Sequence, residues 1–262
     1  MTLPAFDEQG QGSTAVLLLH GIGGGRAIWA DAASGTTRAI AAAGYRALAL
    51  DFPGYGSSAG LPDMATMAQA VLALVAHARA ERTVLLGHSM GGLVAQEVVA
   101  CAPHTVQGLV LCCTSAAFGR ADGAWQAQFV AERLAPLDAG LGMPGMADHL
   151  MPGLVAPQAG AAPRRIARDV MARVPEATYR SALRAIAAFD RRAALARIAV
   201  PTLLLAGEHD RTAPPEVMQR MAARIAGSAF VRLAGAGHIA NVETPVAFNA
   251  VVVSFLQRHF KP

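Results

Sequence analysis

The chain of 262 residues has little lysine, few aromatic residues and no long apolar run. Its only lysine is Lys261, and aromatic residues make up 5% of the composition. The absence of lysine after any glycine-rich segment excludes a phosphate-binding loop of the form G-x-x-x-x-G-K-[ST]. The apolar runs are the length of strands and are broken by Gly, Pro or Arg, so we expect no transmembrane helix and no membrane partner.

Cysteine is also scarce. Cys101, Cys112 and Cys113 show neither the spacing of a metal site nor that of a disulfide framework, so we expect buried, reduced thiols and no metal or cofactor. Residues 1–8 lack the basic and apolar regions of an export signal. We therefore expect a cytoplasmic protein.

The excess of positive charge is confined to one part of the chain. The net charge is +4 and the pI is about 9.4. Residues 116–197 contain eleven arginines, no lysine and seven acidic residues, which accounts for the whole excess. Because no basic run or aromatic interleaving accompanies these arginines, we expect no nucleic-acid partner. Two interpretations stay open, a solvated helical surface and an electric field that attracts carboxylate-bearing substrates.

Apolar segments and helix-like segments alternate along most of the chain. This alternation predicts an α/β fold, in which a mostly parallel sheet is covered by helices on both faces. Ligands of such sheets bind beyond the carboxyl ends of the strands. The predicted strands are residues 15–19, 45–50, 83–86, 106–113, 201–206 and 229–233.

Residues 87–92, with the sequence GHSMGG, lie between the apolar run 83–86 and a helix-like stretch, 93–102. A G-x-S-x-G segment between a strand and a helix is the signature of a nucleophile elbow, a sharp turn that exposes the hydroxyl of its serine. Ser89 is therefore the candidate nucleophile.

A serine nucleophile requires a base and a carboxylate that orients the base. Asp210 follows the predicted strand 201–206, and His238 follows the predicted strand 229–233. The order Ser, Asp, His is the one used with a strand–elbow–helix scaffold, so we predict His238 as the base and Asp210 as its orienting acid. His209 and Asp190 are the alternatives for these two roles.

The glycine-rich segment after the first predicted strand, residues 20–25, can approach a substrate closely. We predict that the backbone N–H groups of Ile22 and Met90 together form an oxyanion hole.

Between residues 117 and 192 the alternation stops. We predict a core of residues 1–116 and 193–262 and a helical cap, or lid, of residues 117–192 that covers the catalytic face. Helices are expected at 123–134 and 164–173, separated by Gly/Pro segments at 140–145 and 152–163. Candidate pocket residues are His20, Gly21, Trp125, Phe129, Met143 and Met146, with Met151 and Met171 as further candidates, although ordinary packing of cap on core explains the cap residues equally well.

The chain resembles the α/β-hydrolase superfamily in five segments: residues 20–24, 51–58, 87–92, 207–210 and 237–238. Within that superfamily, residues 237–243 followed by Pro245 and Phe248 are similar to the C-terminal segment of 3-oxoadipate enol-lactonases, as are residues 111–117 with Gly119 and Trp125. These enzymes tend to carry a basic residue where this chain has Gln128. The resemblance implies an α/β-hydrolase fold with an inserted cap.

The predicted function is a serine hydrolase that cleaves a carboxylic ester or lactone of a small, carboxylate-bearing substrate through an acyl-enzyme. Alternatives that use the same triad are hydrolysis of a C–C bond in aromatic ring-cleavage products and perhydrolysis with haloperoxidase-type activity. A ligand receptor with a weak triad is an alternative from another class. The oligomeric state stays open, a homodimer included.

Overall fold

The computed structural model describes residues 2–30, 35–119 and 124–262 and has one seven-stranded sheet at its centre. The strand order is β1-β3-β2-β4-β5-β6-β7, in which β1 is antiparallel to β3 and all other neighbours are parallel. The strands are β1 (Phe6–Gln9), β2 (Thr14–Leu19), β3 (Arg46–Leu50), β4 (Arg82–His88), β5 (Gly108–Cys112), β6 (Thr202–Gly207) and β7 (Ala229–Leu233).

Side chains that alternate along the strands supply two apolar cores, one on each face of the sheet. The helices are α1 (Ala27–Ala30), α2 (Thr36–Ala42), α3 (Met64–Ala78), α4 (Met90–Cys101), α5 (Ala124–Asp138), α6 (Gly142–Leu154), α7 (Ala161–Ala172), α8 (Glu176–Ala187), α9 (Pro215–Ala222), α10 (Ala240–Glu243) and α11 (Pro245–His259). Leu17 and Leu85 pack with α3, α4 and α9 on one face, whereas Leu18 and Leu86 pack with α1, α2, α10 and α11 on the other. The mostly parallel sheet with helices on both faces confirms the predicted α/β-hydrolase fold.

Helices α5 to α8 lie between β5 and β6, in the segment where alternation stops. The two ends of this segment meet at a short antiparallel bridge between Ala117 and Asp190, flanked by a hydrogen bond from the Arg191 N–H to the Ala116 carbonyl. The chain thus leaves the core and returns to it at one point. Gly142, Pro144 and Gly145 lie inside α6, so the prediction of a Gly/Pro separator at 140–145 is wrong for most of that segment.

Two further differences from the predicted elements occur near the amino terminus. Strand β1 was not predicted, because its short and mostly exposed sequence FDEQ carries no apolar pattern. Residues 29–43, which the sequence pattern predicts as one helix, contain the end of α1 and the whole of α2, and residues 31–34 between them lie outside the described ranges. Within those ranges, no helix combines the length and hydrophobicity needed to cross a bilayer.

Helix α4 approaches β2 so closely that a side chain does not fit at Gly91. A Cβ atom there would lie 2.1 Å from the carbonyl oxygen of Leu19, which belongs to a buried strand and cannot move aside. This approach brings the first turn of α4 against the carboxyl end of the sheet.

We predict that Gly91→Ala lowers the free energy of unfolding by at least about 1–3 kcal/mol, because the new methyl group forces α4 away from β2. The matched control is Gly153→Ala. This residue lies in α6, and a Cβ atom there meets nothing within 4 Å, so the change should be neutral or slightly stabilising. Thermal unfolding of both variants measures the difference. Equal melting temperatures would contradict the close-packing argument.

Candidate active site

Three of the predicted site residues are joined by hydrogen bonds. Ser89, between β4 and α4, has the strained backbone angles φ 52° and ψ −117°. Its Oγ lies 3.0 Å from Nε2 of His238, and Nδ1 of His238 lies 2.9 Å from Oδ2 of Asp210. His238 and Asp210 are buried, whereas Ser89 is partly accessible. The structure thus brings together a hydroxyl, an imidazole and a carboxylate in the geometry that serine nucleophiles require.

The carboxylate of Asp210 is held in its ionised form. Its Oδ1 accepts hydrogen bonds from the backbone N–H groups of Thr212, at 2.8 Å, and Ala213, at 2.9 Å. Burial alone raises the pKa of Asp210, but the adjacent His238 and the hydrogen bonds from His238, Ala213 and Thr212 outweigh it and hold the pKa below its ordinary value. An ionised Asp210 keeps the proton of His238 on Nδ1, which leaves Nε2 free to accept the proton of Ser89.

The two alternative residues lie elsewhere. Asp190 forms an ion pair with Arg192 where the segment between β5 and β6 rejoins the core. His209 is about one-third exposed and lies 3.7 Å from Glu208. Neither residue has a hydrogen bond to the Ser89–His238 pair.

The peptide group that carries the Ile22 N–H is fixed through its oxygen atom. The Gly21 carbonyl accepts hydrogen bonds from Nδ1 of His20, at 2.8 Å, and from the Gly24 N–H, at 2.9 Å. In a trans peptide the N–H and C=O bonds point in opposite directions, so the Ile22 N–H is directed away from His20 and Gly24. Ile22 lines the cavity that contains Ser89.

The peptide group that carries the Met90 N–H is fixed in the same way. The Ser89 carbonyl accepts hydrogen bonds from Oγ1 of Thr114, at 2.7 Å, and from the Gly92 N–H, at 2.9 Å. The Met90 N–H therefore points to the opposite side, and Met90 lines the same cavity. The two backbone donors predicted for an oxyanion hole are thus oriented by hydrogen bonds on the other side of their peptides.

Two histidines beside the site are buried in their neutral forms. Nε2 of His20 accepts a hydrogen bond from the Phe52 N–H at 3.1 Å, so the proton of this ring is on Nδ1. Burial lowers the pKa of His20 to about 4. Burial and the neighbouring His238 lower the pKa of His88 to about 3, and Nε2 of His88 donates to the His238 carbonyl at 2.7 Å. Both rings therefore keep the same hydrogen bonds throughout the physiological pH range.

A cavity of about 120 Å³ opens at Ser89 between the core and helices α5 to α8. Of the predicted pocket residues, Gly21 and Phe129 line it, as do Met151 and Met171. Arg133, one of the arginines of residues 116–197, also lines it. Sequence reasoning did not predict several other lining residues. They are Phe118, Leu150, Leu154, Tyr179, Leu183 and Ile186.

Four predicted pocket residues do not line the cavity. His20 is buried and forms hydrogen bonds with the Gly21 carbonyl and the Phe52 N–H. Trp125 is 40% exposed, stacks on Phe129 and does not line the cavity. Met143 and Met146 are buried in the apolar core instead. Helical spacing alone does not reveal which apolar side chains face a cavity and which face a neighbouring helix.

Within the described ranges, one group of side chains has the composition of a metal site, namely His88, Cys113 and His238. The two ring nitrogens of His238 face Asp210 and Ser89, and Nε2 of His88 faces a carbonyl oxygen. Hydrogen bonds therefore account for three of the four imidazole nitrogens.

A family model described as the alpha/beta hydrolase fold matches residues 14–245. The chain belongs to the alpha/beta hydrolase fold family. The matched range contains the elbow at Ser89 together with Asp210 and His238.

Several known family members are similar over nearly the whole chain. A Variovorax paradoxus protein, provisionally named carbamate hydrolase RutD, is 33% identical over 95% of this chain and 93% of its own. The 3-oxoadipate enol-lactonase 2 of Acinetobacter baylyi is 30% identical over 82% and 79%. A thermophilic esterase from Thermogutta terrifontis superposes with a TM-score of 0.85 at 28% identity, over 98% and 94%. The predicted resemblance to enol-lactonases is confirmed.

In this chain, the backbone around His238 is anchored by a residue whose role sequence reasoning missed. Glu243 accepts hydrogen bonds from the N–H groups of Gly237 and Ile239, both at 2.9 Å, and of Ala156, at 2.7 Å. The His238 N–H itself donates to the Leu154 carbonyl at 2.8 Å. One carboxylate thus joins the His238 loop to the connection between α6 and α7. The only sequence signal was an acidic residue in a mostly apolar segment five positions after His238.

We predict that Glu243→Gln lowers the free energy of unfolding by about 1–3 kcal/mol, because an amide cannot accept from all three N–H groups. Glu208→Gln is the matched control, since the Glu208 carboxylate accepts from one N–H on the same loop, that of Gly235 at 3.0 Å. Chemical denaturation of both variants gives the comparison. A loss for Glu243→Gln no larger than that for Glu208→Gln would contradict this role.

Proposed function

We propose that this chain is a serine hydrolase that cleaves a carboxylic ester or lactone of a small, carboxylate-bearing substrate through an acyl-enzyme. The observation that carries the proposal is the hydrogen-bonded series Ser89, His238, Asp210 at a cavity that two oriented N–H groups also border. A cavity of about 120 Å³ suits a small acyl group.

In the first half of the reaction, Oγ of Ser89 attacks the carbonyl carbon of the substrate and Nε2 of His238 takes the hydroxyl proton. The N–H groups of Ile22 and Met90 stabilise the negative oxygen that forms. The tetrahedral intermediate then expels the alcohol oxygen, which takes the proton from His238, and the acyl group remains on Ser89.

In the second half, a water molecule replaces the alcohol. His238 accepts a proton from this water as its oxygen attacks the acyl carbon, and the same two N–H groups stabilise the second intermediate. The bond to Ser89 then breaks, Oγ regains its proton from His238, and a carboxylic acid leaves. Asp210 stabilises the imidazolium in both halves without taking a proton.

The relatives support this class of reaction. The names of the Acinetobacter and Thermogutta proteins describe a lactonase and an esterase, and that of the Variovorax protein describes a carbamate hydrolase. All three reactions expel a heteroatom from an acyl carbon, which the same residues can catalyse. The Thermogutta esterase was solved with malate, a small dicarboxylate, bound. This observation favours carboxylate-bearing substrates here.

We predict that Ser89→Ala lowers kcat for p-nitrophenyl acetate by several powers of ten, because the nucleophile is removed. A fluorophosphonate should label the wild-type protein at Ser89 and leave the variant unlabelled. Ser228→Ala is the control, since Ser228 precedes β7, at the end of the strand opposite His238, and its Oγ donates only to the Ala222 carbonyl. Activity should also survive exhaustive chelation.

Unchanged turnover in Ser89→Ala would contradict the proposed function. Tight binding of esters by the wild-type protein without a burst or turnover would indicate a ligand receptor instead. Assays of one sample with enol-lactones, carbamates, ring-cleavage dienones and acetate plus peroxide would rank the reactions that share this triad.

We also predict that Thr114→Val lowers kcat about tenfold with little change in KM, because the Ser89 carbonyl loses its hydroxyl donor and keeps only the helix N–H donors Gly92 and Leu93, which orient the Met90 N–H less strictly. Removal of a whole oxyanion donor costs about 10²–10³ in kcat, so loss of its orientation should cost less. Thr114→Ser keeps the hydroxyl and should restore most of the rate. Steady-state kinetics on p-nitrophenyl acetate test this prediction, and equal rates for the two variants would contradict it.

A further inference from the structure

We propose that Arg133 and Tyr179 form a subsite in the cavity wall that binds a free carboxylate of the substrate. The inference rests on the proposed function and adds the residues that recognise the charge. Arg133 lies in α5 and Tyr179 in α8, and both line the cavity that contains Ser89.

Arg133 differs from the other arginines between β5 and β6 in its surroundings. Arg168 is paired with Asp148 and Asp169, and Arg180 with Asp138 and Glu176. Arg191 pairs with Glu97, Arg192 with Asp190, and Arg164 donates to backbone carbonyls. The remaining described arginines of this segment are exposed and do not line the cavity, and Arg120 lies outside the described ranges. Arg133 is the one that lines the cavity within the described ranges, and no carboxylate of those ranges forms an ion pair with it.

The guanidinium group of Arg133 is held by an aromatic ring. Its central carbon lies 5.2 Å from the centre of the Phe129 ring, within the range of a cation–π contact. The ring covers one face of the planar group and leaves its edge of N–H donors available. A stacked, half-buried arginine loses less conformational freedom on binding an anion than an extended surface arginine does.

Tyr179 supplies a second donor close to Arg133. The residue is 2% exposed, and no hydrogen bond among the described residues involves its hydroxyl. Helices α5 and α8 pack against each other, and the two side chains line the same cavity. Burial raises the pKa of the Tyr179 hydroxyl, and the positive charge of Arg133 opposes that rise. The hydroxyl therefore stays protonated at neutral pH and can donate.

The neighbours of this pair are apolar. Leu183 and Ile186 of α8 and Phe118 line the same cavity. Charge-assisted hydrogen bonds are stronger where water is excluded, and a carboxylate matches the paired N–H groups of a guanidinium. A carboxylate held here would place an ester group of the same small molecule within the cavity that Ser89 borders.

The test compares 4-nitrophenyl hydrogen succinate, which has a free carboxylate, with its methyl ester. The wild-type protein should hydrolyse the acid with the higher kcat/KM, and Arg133→Met should reduce the acid-to-ester ratio of kcat/KM about ten- to a hundredfold. Tyr179→Phe should reduce the ratio in the same direction but less. Arg184→Met is the matched control, because it removes an exposed arginine of α8 that does not line the cavity.

A direct ion pair and a general field differ in their response to salt. The preference should persist at high ionic strength if Arg133 binds the carboxylate in the cavity, and it should disappear if exposed arginines only attract the anion. A wild-type ratio near one, or equal reductions in Arg133→Met and Arg184→Met, would overturn the proposal.

A binding measurement separates this proposal from the proposed function. Monomethyl succinate should raise the melting temperature of the Ser89→Ala protein, and the additional Arg133→Met change should abolish that rise. If the wild-type protein has no esterase activity but the rise in melting temperature depends on Arg133, the proposed function is contradicted and the subsite is supported. If the protein has esterase activity but shows no such rise, the subsite is contradicted and the proposed function is supported.

Discussion

The strained backbone at Ser89 is the constraint on which the rest of the site depends. Its φ of 52° is held by the hydrogen bond from its N–H to the Cys112 carbonyl and by that from Thr114 to its own carbonyl. Gly91 permits the approach of α4 to β2 that this turn requires. This backbone conformation places the Ser89 hydroxyl near His238 and directs the Met90 N–H. The strain at Ser89 is balanced by these hydrogen bonds and by the packing of α4 on β2.

A second constraint joins the helical segment between β5 and β6 to the base. The backbone of His238 donates to Leu154 and accepts from His88, and Glu243 holds the residues on either side of it. A displacement of the α6–α7 connection would therefore displace the imidazole of His238. The segment between β5 and β6 thus helps to position the catalytic base.

Buried polar groups near the site are satisfied in one protonation state. His20 and His88 are neutral because burial disfavours their charged forms, whereas Asp210 is ionised because hydrogen bonds and His238 outweigh burial. Five of the ten described arginines between β5 and β6 have acidic or carbonyl partners, and four others are exposed and do not line the cavity. The positive charge that borders the cavity is that of Arg133, so the local field there differs from the field that the net charge of this segment implies.

By itself, the sequence determined the fold class, the elbow and the order of Ser89, Asp210 and His238. Each of these residues follows a strand, and the carboxyl ends of parallel strands meet at one edge of a sheet. The position of a residue just after a strand therefore predicted which distant residues would meet. Only the tertiary structure decided that Met143 and Met146 face the core and that Glu243 anchors the His238 loop. It also decided that Arg133 alone among the described arginines between β5 and β6 lines the cavity. These positions depend on how helices that are distant in the sequence pack against one another. Helical periodicity shows which side chains share a face, but it does not identify the element or cavity that this face contacts.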